Sequence, residues 1–134
     1  MRICVGIDVA EERKGLDLVA LDSDRRVGAS LGRATITQVT TMIAELCPDV
    51  VCIDSPPAWA ANGRSRAAER ELRRFGITPF STPTDPGPHS FYRWMRVGFA
   101  IFDAIADSHP RFRAGSVEGT AAEVFPEASA VLLE

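Results

Sequence analysis

The chain has 134 residues, of which 46% are hydrophobic, 25% charged and 7% aromatic, about one domain by the usual length of ~150 residues. That composition excludes a disordered tail, a fibrous repeat and a polybasic coat protein, and no apolar run approaches the ~20 residues of a membrane span. The formal net charge is −3, and the three cysteines (Cys4, Cys47, Cys52) are an odd number with no CxxC pair, so a reduced, cytoplasmic domain with buried free thiols is expected.

In chain order, Arg2 to Asp8 is a short β-branched run that predicts a buried strand. Leu16 to Leu21 predicts a second strand, and Arg26 to Leu31 a weaker third one closed by Gly32. Short polar turns between them point to an antiparallel meander. Thr37 to Cys47 places Val39, Met42, Ile43 and Leu46 at helical spacing, with Pro48 as the stop. Asp49 to Asp54 is a fourth strand, and the intervening helix fits a right-handed crossover that makes it parallel to a meander strand.

Arg66 to Phe75 predicts a second helix, with Ser65 as N-cap and Gly76 as terminator. Ala68, Leu72 and Phe75 share one side of it. The segment Ile77 to Ser90 is Pro-rich and aperiodic, which in a compact domain marks a functional or disordered connection. Phe91 to Ser108 is the strongest helical pattern, its apolar stripe formed by Phe91, Trp94, Met95, Gly98, Phe102 and Ile105. Ala121 to Phe125 predicts a last strand, and Ala128 to Leu133 the start of another helix.

Asp8 and Asp54 each end a predicted strand. If those strands are neighbours, both carboxylates face one crevice, where like charges call for a cation such as Mg²⁺ or Mn²⁺. Two such ions can activate water and stabilise the leaving oxygen of a phosphodiester. Taken singly, each Asp is also an ordinary turn residue. Arg66, Arg70, Arg73 and Arg74 form an arc on the second helix that could hold nucleic-acid phosphates. The same arc reads as a solvated face supported by a Glu69–Arg73 pair. The whole Arg64–Arg96 segment is basic, with seven Arg against Glu69, Glu71 and Asp85, inside an otherwise acidic chain.

Glu123 can be a third, inward carboxylate or an exposed edge residue. His89 and His109 lack a second ligand at metal spacing, which argues against zinc. Trp59 and Phe80 can stack on bases or anchor loops. No Gly-rich phosphate loop and no GxSxG elbow is present.

Four ordered motifs carry a family resemblance: Gly6-Ile7-Asp8-Val9-Ala10, Ile53-Asp54-Ser55-Pro56-Pro57, Arg66-Ala67-Ala68-Glu69-Arg70-Glu71-Leu72-Arg73, and Glu123-Val124-Phe125-Pro126-Glu127. The chain resembles the domain of unknown function 429 family, whose members are predicted nucleases with an RNase H-like fold. The resemblance implies a single α/β domain over residues 1–134, with a three-strand meander plus parallel strands flanked by helices. It also implies Asp8 and Asp54 as metal-site acids, Glu123 as an auxiliary ligand or base, and Glu69 and Glu127 as members of family motifs. The family's acidic-His-Pro-Glu pattern reads Glu-Val-Phe-Pro-Glu at 123–127 here, so any role of that His is absent. Related chains continue with a further Asp-bearing helix, so Glu134 is expected to fall short of the domain's end, with exposed apolar surface able to form a homodimer. The expected function is metal-dependent phosphodiester hydrolysis on nucleic acid, and the alternative is a non-catalytic binding module.

Overall fold

Alternation of apolar and small or polar residues sets the sheet. The computed structural model describes residues 2–134 and places β1 (Ile3–Asp8), β2 (Leu16–Asp22), β3 (Val27–Ala34), β4 (Val50–Asp54) and β5 (Thr120–Glu123) in one sheet of order β3-β2-β1-β4-β5. The β1–β2 and β2–β3 pairs are antiparallel, whereas β1–β4 and β4–β5 are parallel. The expected meander and crossover are therefore present in a mixed α/β domain.

Every second residue points to one face, which buries Val5 and Ile7, Leu16, Leu18 and Ala20, Val51 and Ile53, and Ala121. Helices α1 (Ile36–Leu46) and α3 (Arg93–Ala104) close that face with Val39, Ile43, Ile101 and Phe102. The opposite face carries Cys4, Cys52 and Ala122, all half-buried, and the more exposed Val19. Cys47 is exposed, contrary to the expected burial of all three thiols, because it caps α1 in the left-handed region at φ 45°. Burial and the neighbouring Cys4, whose sulfur is 3.9 Å away, push the Cys52 thiol up to about 12.

Several boundaries move for local reasons. Thr35 starts α1 through a capping box, its hydroxyl accepting from the Gln38 amide while the Gln38 side chain accepts from the Thr35 amide. Strand β3 does not stop at Gly32. It continues to Ala34 through an irregularity opposite Leu16–Leu18, where Arg33 takes φ 53° and its amide donates to Asp17 at 3.0 Å. Gly15 faces that irregularity with φ 80°, and a Cβ there would lie 2.6 Å from the Arg33 carbonyl carbon.

Helix α2 (Ala67–Arg74) ends as expected at Gly76. Its terminus is a Schellman motif, in which the Ile77 amide donates to Leu72 O and the Gly76 amide to Arg73 O. The expected start at Ser65 is corrected to Arg66, whose amide is satisfied by Glu69 three residues on. Helix α3 is preceded by a 3₁₀ turn, Ser90–Tyr92, and ends at Ala104 rather than Ser108. His109 beyond it is buried, its ring bonded to Pro48 O at 2.8 Å and to Ser108. Helix α4 (Pro126–Leu132) follows β5. Among the described residues no helix is long and apolar enough to cross a membrane.

Gly98 lets α3 sit directly on the loop after β4. A Cβ on Gly98 would lie 1.8 Å from Ser55 Oγ and 2.4 Å from Ser55 Cβ. Rotation of the hydroxyl alone cannot relieve the second contact. In an open helix Gly→Ala gains about 1 kcal/mol of propensity, but overpacking of this kind costs about 1–3 kcal/mol. The clash wins. Denaturant unfolding should show Gly98→Ala destabilised, and pairing it with Ser55→Gly should recover much of the loss; an additive double mutant would refute the contact.

Candidate active site

The strand order brings Asp8 and Asp54 together. They are register partners at the carboxyl ends of adjacent parallel strands, whose backbones are about 4.8 Å apart. Residues opposite each other in register project to the same face, so the two carboxylates are neighbours. Asp8 is exposed and Asp54 half-buried. Burial, with the nearby charges of Asp8 and Glu123, holds the Asp54 carboxyl above its ordinary range.

Asp54 also borders a cleft of about 500 Å³ beyond the ends of β1, β4 and β5. One side comes from Val9, Ala10, Glu11 and Lys14 after β1, and from Ser55 and Pro56 after β4. The other comes from α2, the Pro79–Thr82 segment, the 3₁₀ turn and the first turn of α3. The loop after β4 is fixed by Arg111, which donates to Pro57 O at 2.8 Å, and by Trp59, which packs edge-on against Tyr92 and Phe99 with Arg96 over its ring. Trp59 is therefore a loop anchor.

Arg66 ties the cleft together. Its guanidinium donates to Glu69 through Nε at 2.9 Å and to both carboxylate oxygens of Glu123, through Nη1 at 2.7 Å and through Nη2. Glu69 is 3% exposed and accepts from the Arg66 amide, the Thr82 amide and the Thr82 hydroxyl. Burial alone would raise the Glu69 carboxyl. The hydrogen bonds from Thr82 and Arg66 outweigh it and hold the carboxyl below its usual value. Burial opposes the charge of Arg66 too, but the bonds to Glu123 and Glu69 overcome that and raise its value. One guanidinium thus joins α2 to β5, and one carboxylate joins α2 to the loop at Thr82.

These contacts correct the reading of α2 as an open basic face. Arg66 is largely buried, and Arg73 donates to Ser81 Oγ at 2.6 Å. Glu69 pairs with Arg66 and not with Arg73. Arg74 lies against Glu71 at 3.1 Å, and Arg70 donates to Ser65 O at 2.6 Å; both are exposed. The expected apolar side is corrected too. Ala68 and Phe75 are exposed, Leu72 is half-buried, and the one buried residue of the helix is Glu69. Glu127 is exposed in the first turn of α4 and does not line the cleft.

Sequence reasoning did not single out Glu11, Lys14, Thr82, Phe91, Trp94 or Phe125 as cleft residues. The only signal was the long aperiodic segment Ile77–Ser90, which supplies Pro79, Phe80 and Thr82 to the wall. Among the described residues no three His, Cys, Asp or Glu side chains group closely enough to hold a metal ion. At the ends of β1 and β4 stand two neighbouring carboxylates, Asp8 and Asp54, while Glu123 is held by Arg66.

Removing Glu69 should be costly, since it leaves Arg66 Nε and the buried Thr82 amide and hydroxyl without their acceptor, although Glu123 still holds the guanidinium. Glu69→Ala is expected to lose about 3–5 kcal/mol in denaturant titration. Glu69 has a depressed folded value, so its contribution is present above the unfolded carboxyl range and is lost as pH falls through the folded value. The stability gap between the native chain and Glu69→Gln should therefore shrink on acidification. A gap independent of pH would refute the charge-dependent role.

The chain matches no curated protein and no solved structure. Its motifs at both strand ends, on α2 and after β5 all fall within residues 6–134, which match the family model described as Protein of unknown function (DUF429), and the chain belongs to that family.

Proposed function

We propose that the chain is a divalent-metal-dependent phosphodiesterase on an RNase H-like fold, acting on nucleic acid. The observation that carries this reading is the in-register pair Asp8–Asp54 at the carboxyl ends of β1 and β4, beside a cleft. Crevices of this kind are where open α/β sheets bind ligands. The sheet order supports the fold reading, since a three-strand meander extended by two parallel strands is what the resemblance implies.

Two carboxylates completed by water suit Mg²⁺ or Mn²⁺, and the exposure of Asp8 leaves room for that water. Asp8 and Asp54 would hold the ion. When bound, it would supply a nucleophilic water at neutral pH and stabilise the leaving oxygen. Asp54, with its raised value, concentrates the need for a cation at the inner of the two acids. Glu123 serves this reading through Arg66, as a strut that holds the end of β5 beside Asp54. Arg70, exposed and bonded only to the Ser65 carbonyl, is the arginine of α2 that remains for phosphate contact.

The second reading, a non-catalytic binding module, is favoured by one contact: the bidentate hold of Arg66 on Glu123 removes the third acid from the donor set. It predicts a folded protein that binds no divalent cation at millimolar concentration.

Calorimetry with Mn²⁺ separates the two. Binding is expected for the native chain, and Asp8→Asn and Asp54→Asn should each weaken it about 10–100-fold or more, with loss of Mn²⁺-dependent cleavage of a nucleic-acid strand. Unchanged Mn²⁺ binding in both variants overturns the site. The Asp54 carboxyl protonates at higher pH than an ordinary Asp, so Mn²⁺ affinity should fall on acidification while pH is still above ~4. An affinity flat down to that pH would show that the Asp54 carboxyl is not raised.

A further inference from the structure

The cleft that contains Asp54 has an aromatic wall that hydrolysis alone does not require. Phe80 from the Pro-rich segment meets Phe91 of the 3₁₀ turn at 5.4 Å and 71°, and Trp94 of α3 at 6.0 Å and 64°. Burying aromatic surface is favourable, yet Phe80 is 62% exposed and Phe91 43% exposed. The contrast lies within the same molecule. Trp59, Tyr92 and Phe99 make similar edge-on contacts but are half-buried, with Arg96 over Trp59. Edge-to-face packing fixes the Phe80–Phe91–Trp94 rings against one another and leaves ring surface open toward the cleft.

The same cleft is lined by Asp54 and Glu123, with Lys14 at the turn after β1. The volume of about 500 Å³ lies in the range of small-ligand sites, roughly 300–1,000 Å³. A cleft lined by exposed rings and by Asp54, whose register partner is Asp8, matches in size a unit that is a flat ring at one end and a phosphate at the other. A base within a duplex has both faces covered by its neighbours and cannot reach such a wall. An unpaired base can.

We infer that the cleft takes one unpaired nucleotide, its base against Phe80 and Phe91 and its phosphate toward Asp8 and Asp54. This rests on the metal-dependent reading, because without a cation the two carboxylates would repel the phosphate. The substrate class is then single-stranded nucleic acid or a free nucleotide, not intact duplex.

Fluorescence anisotropy with Mn²⁺ present tests this with four probes: a short labelled DNA strand, the same strand in a blunt duplex, the same strand with abasic sites, and unlabelled adenosine monophosphate as competitor. The base-bearing strand should bind about tenfold or more tightly than the duplex or the abasic strand. Phe80→Ala and Phe91→Ala, both at exposed positions and checked for folding by circular dichroism, should each weaken the base-bearing strand about fivefold or more. They should leave the abasic strand unchanged, and Phe91→Trp should restore binding. Full competition by the mononucleotide assigns the site to free nucleotides, and its failure assigns it to strands; both support the wall. Equal binding of duplex or abasic strand, or no effect of either Phe variant, overturns the inference. Cleavage of duplex and single strand at equal rates overturns it while the metal-dependent reading stands. Base-dependent binding with Mn²⁺ but no cleavage overturns hydrolysis and leaves the aromatic wall in place.

Discussion

The half-buried guanidinium of Arg66 is the interaction on which the site depends. Without it, α2 has little to hold it to the body, for Ala68 and Phe75 are exposed and Leu72 is only half-buried. A helix that short is not stable from propensity alone. Its attachment is polar: Arg66 to Glu123 on β5, and Glu69 to Thr82 on the loop that forms the other rim. Buried ion pairs are poor evidence for stability when a well-packed apolar pair could replace them, but they are specific in position. Here the specificity sets where α2 and the loop stand relative to Asp54, and so it defines the cleft.

A second constraint acts from below. The sheet register puts Asp8 beside Asp54, and the missing side chain at Gly98 lets α3 come down onto Ser55 just after Asp54. The first turn of the same helix brings Trp94 and Met95 to the cleft. Sheet, helix and clamp therefore converge on one strand end. The carboxylate pair is a consequence of pairing β1 with β4, and the wall is a consequence of how closely α3 approaches them.

Much of the framework was legible from period alone. The apolar runs Leu16–Leu21 and Asp49–Asp54 and the helical spacing from Val39 to Leu46 correspond to β2, β4 and α1. Asp8 and Asp54 were legible because both end apolar runs. Residues whose role is set by tertiary contact were not. Glu69 sits on a helix of four arginines and looks like a surface acid, yet it is the buried residue of α2. Its partner Thr82 lies thirteen positions away, in a segment with no period to read. Phe91 fits an apolar helical stripe by spacing, but the backbone there is a 3₁₀ turn, so the ring leaves the stripe and joins the cleft. Trp59 and Phe80 are both loop aromatics by sequence, and only packing separates the anchor from the exposed one.

Charge was the least transferable of the sequence signals. The Arg64–Arg96 segment counts as strongly basic, but Arg66, Arg74 and Arg96 each lie against a carboxylate, and Arg73 is turned to Ser81. Little of that positive charge is left over for a partner. The cleft itself holds Glu11, Asp54, Glu69 and Glu123 against Lys14 and Arg66, and Asp8 is the register partner of Asp54. A phosphate approaching it meets net negative charge, since the guanidinium of Arg66 is already shared by two carboxylates. On the reading proposed above, affinity for a phosphate would come from a cation at Asp8–Asp54 and from contacts insensitive to charge. The exposed rings of Phe80 and Phe91 are contacts of that second kind, and this is why a cleft so acidic can still be read as a site for a nucleotide.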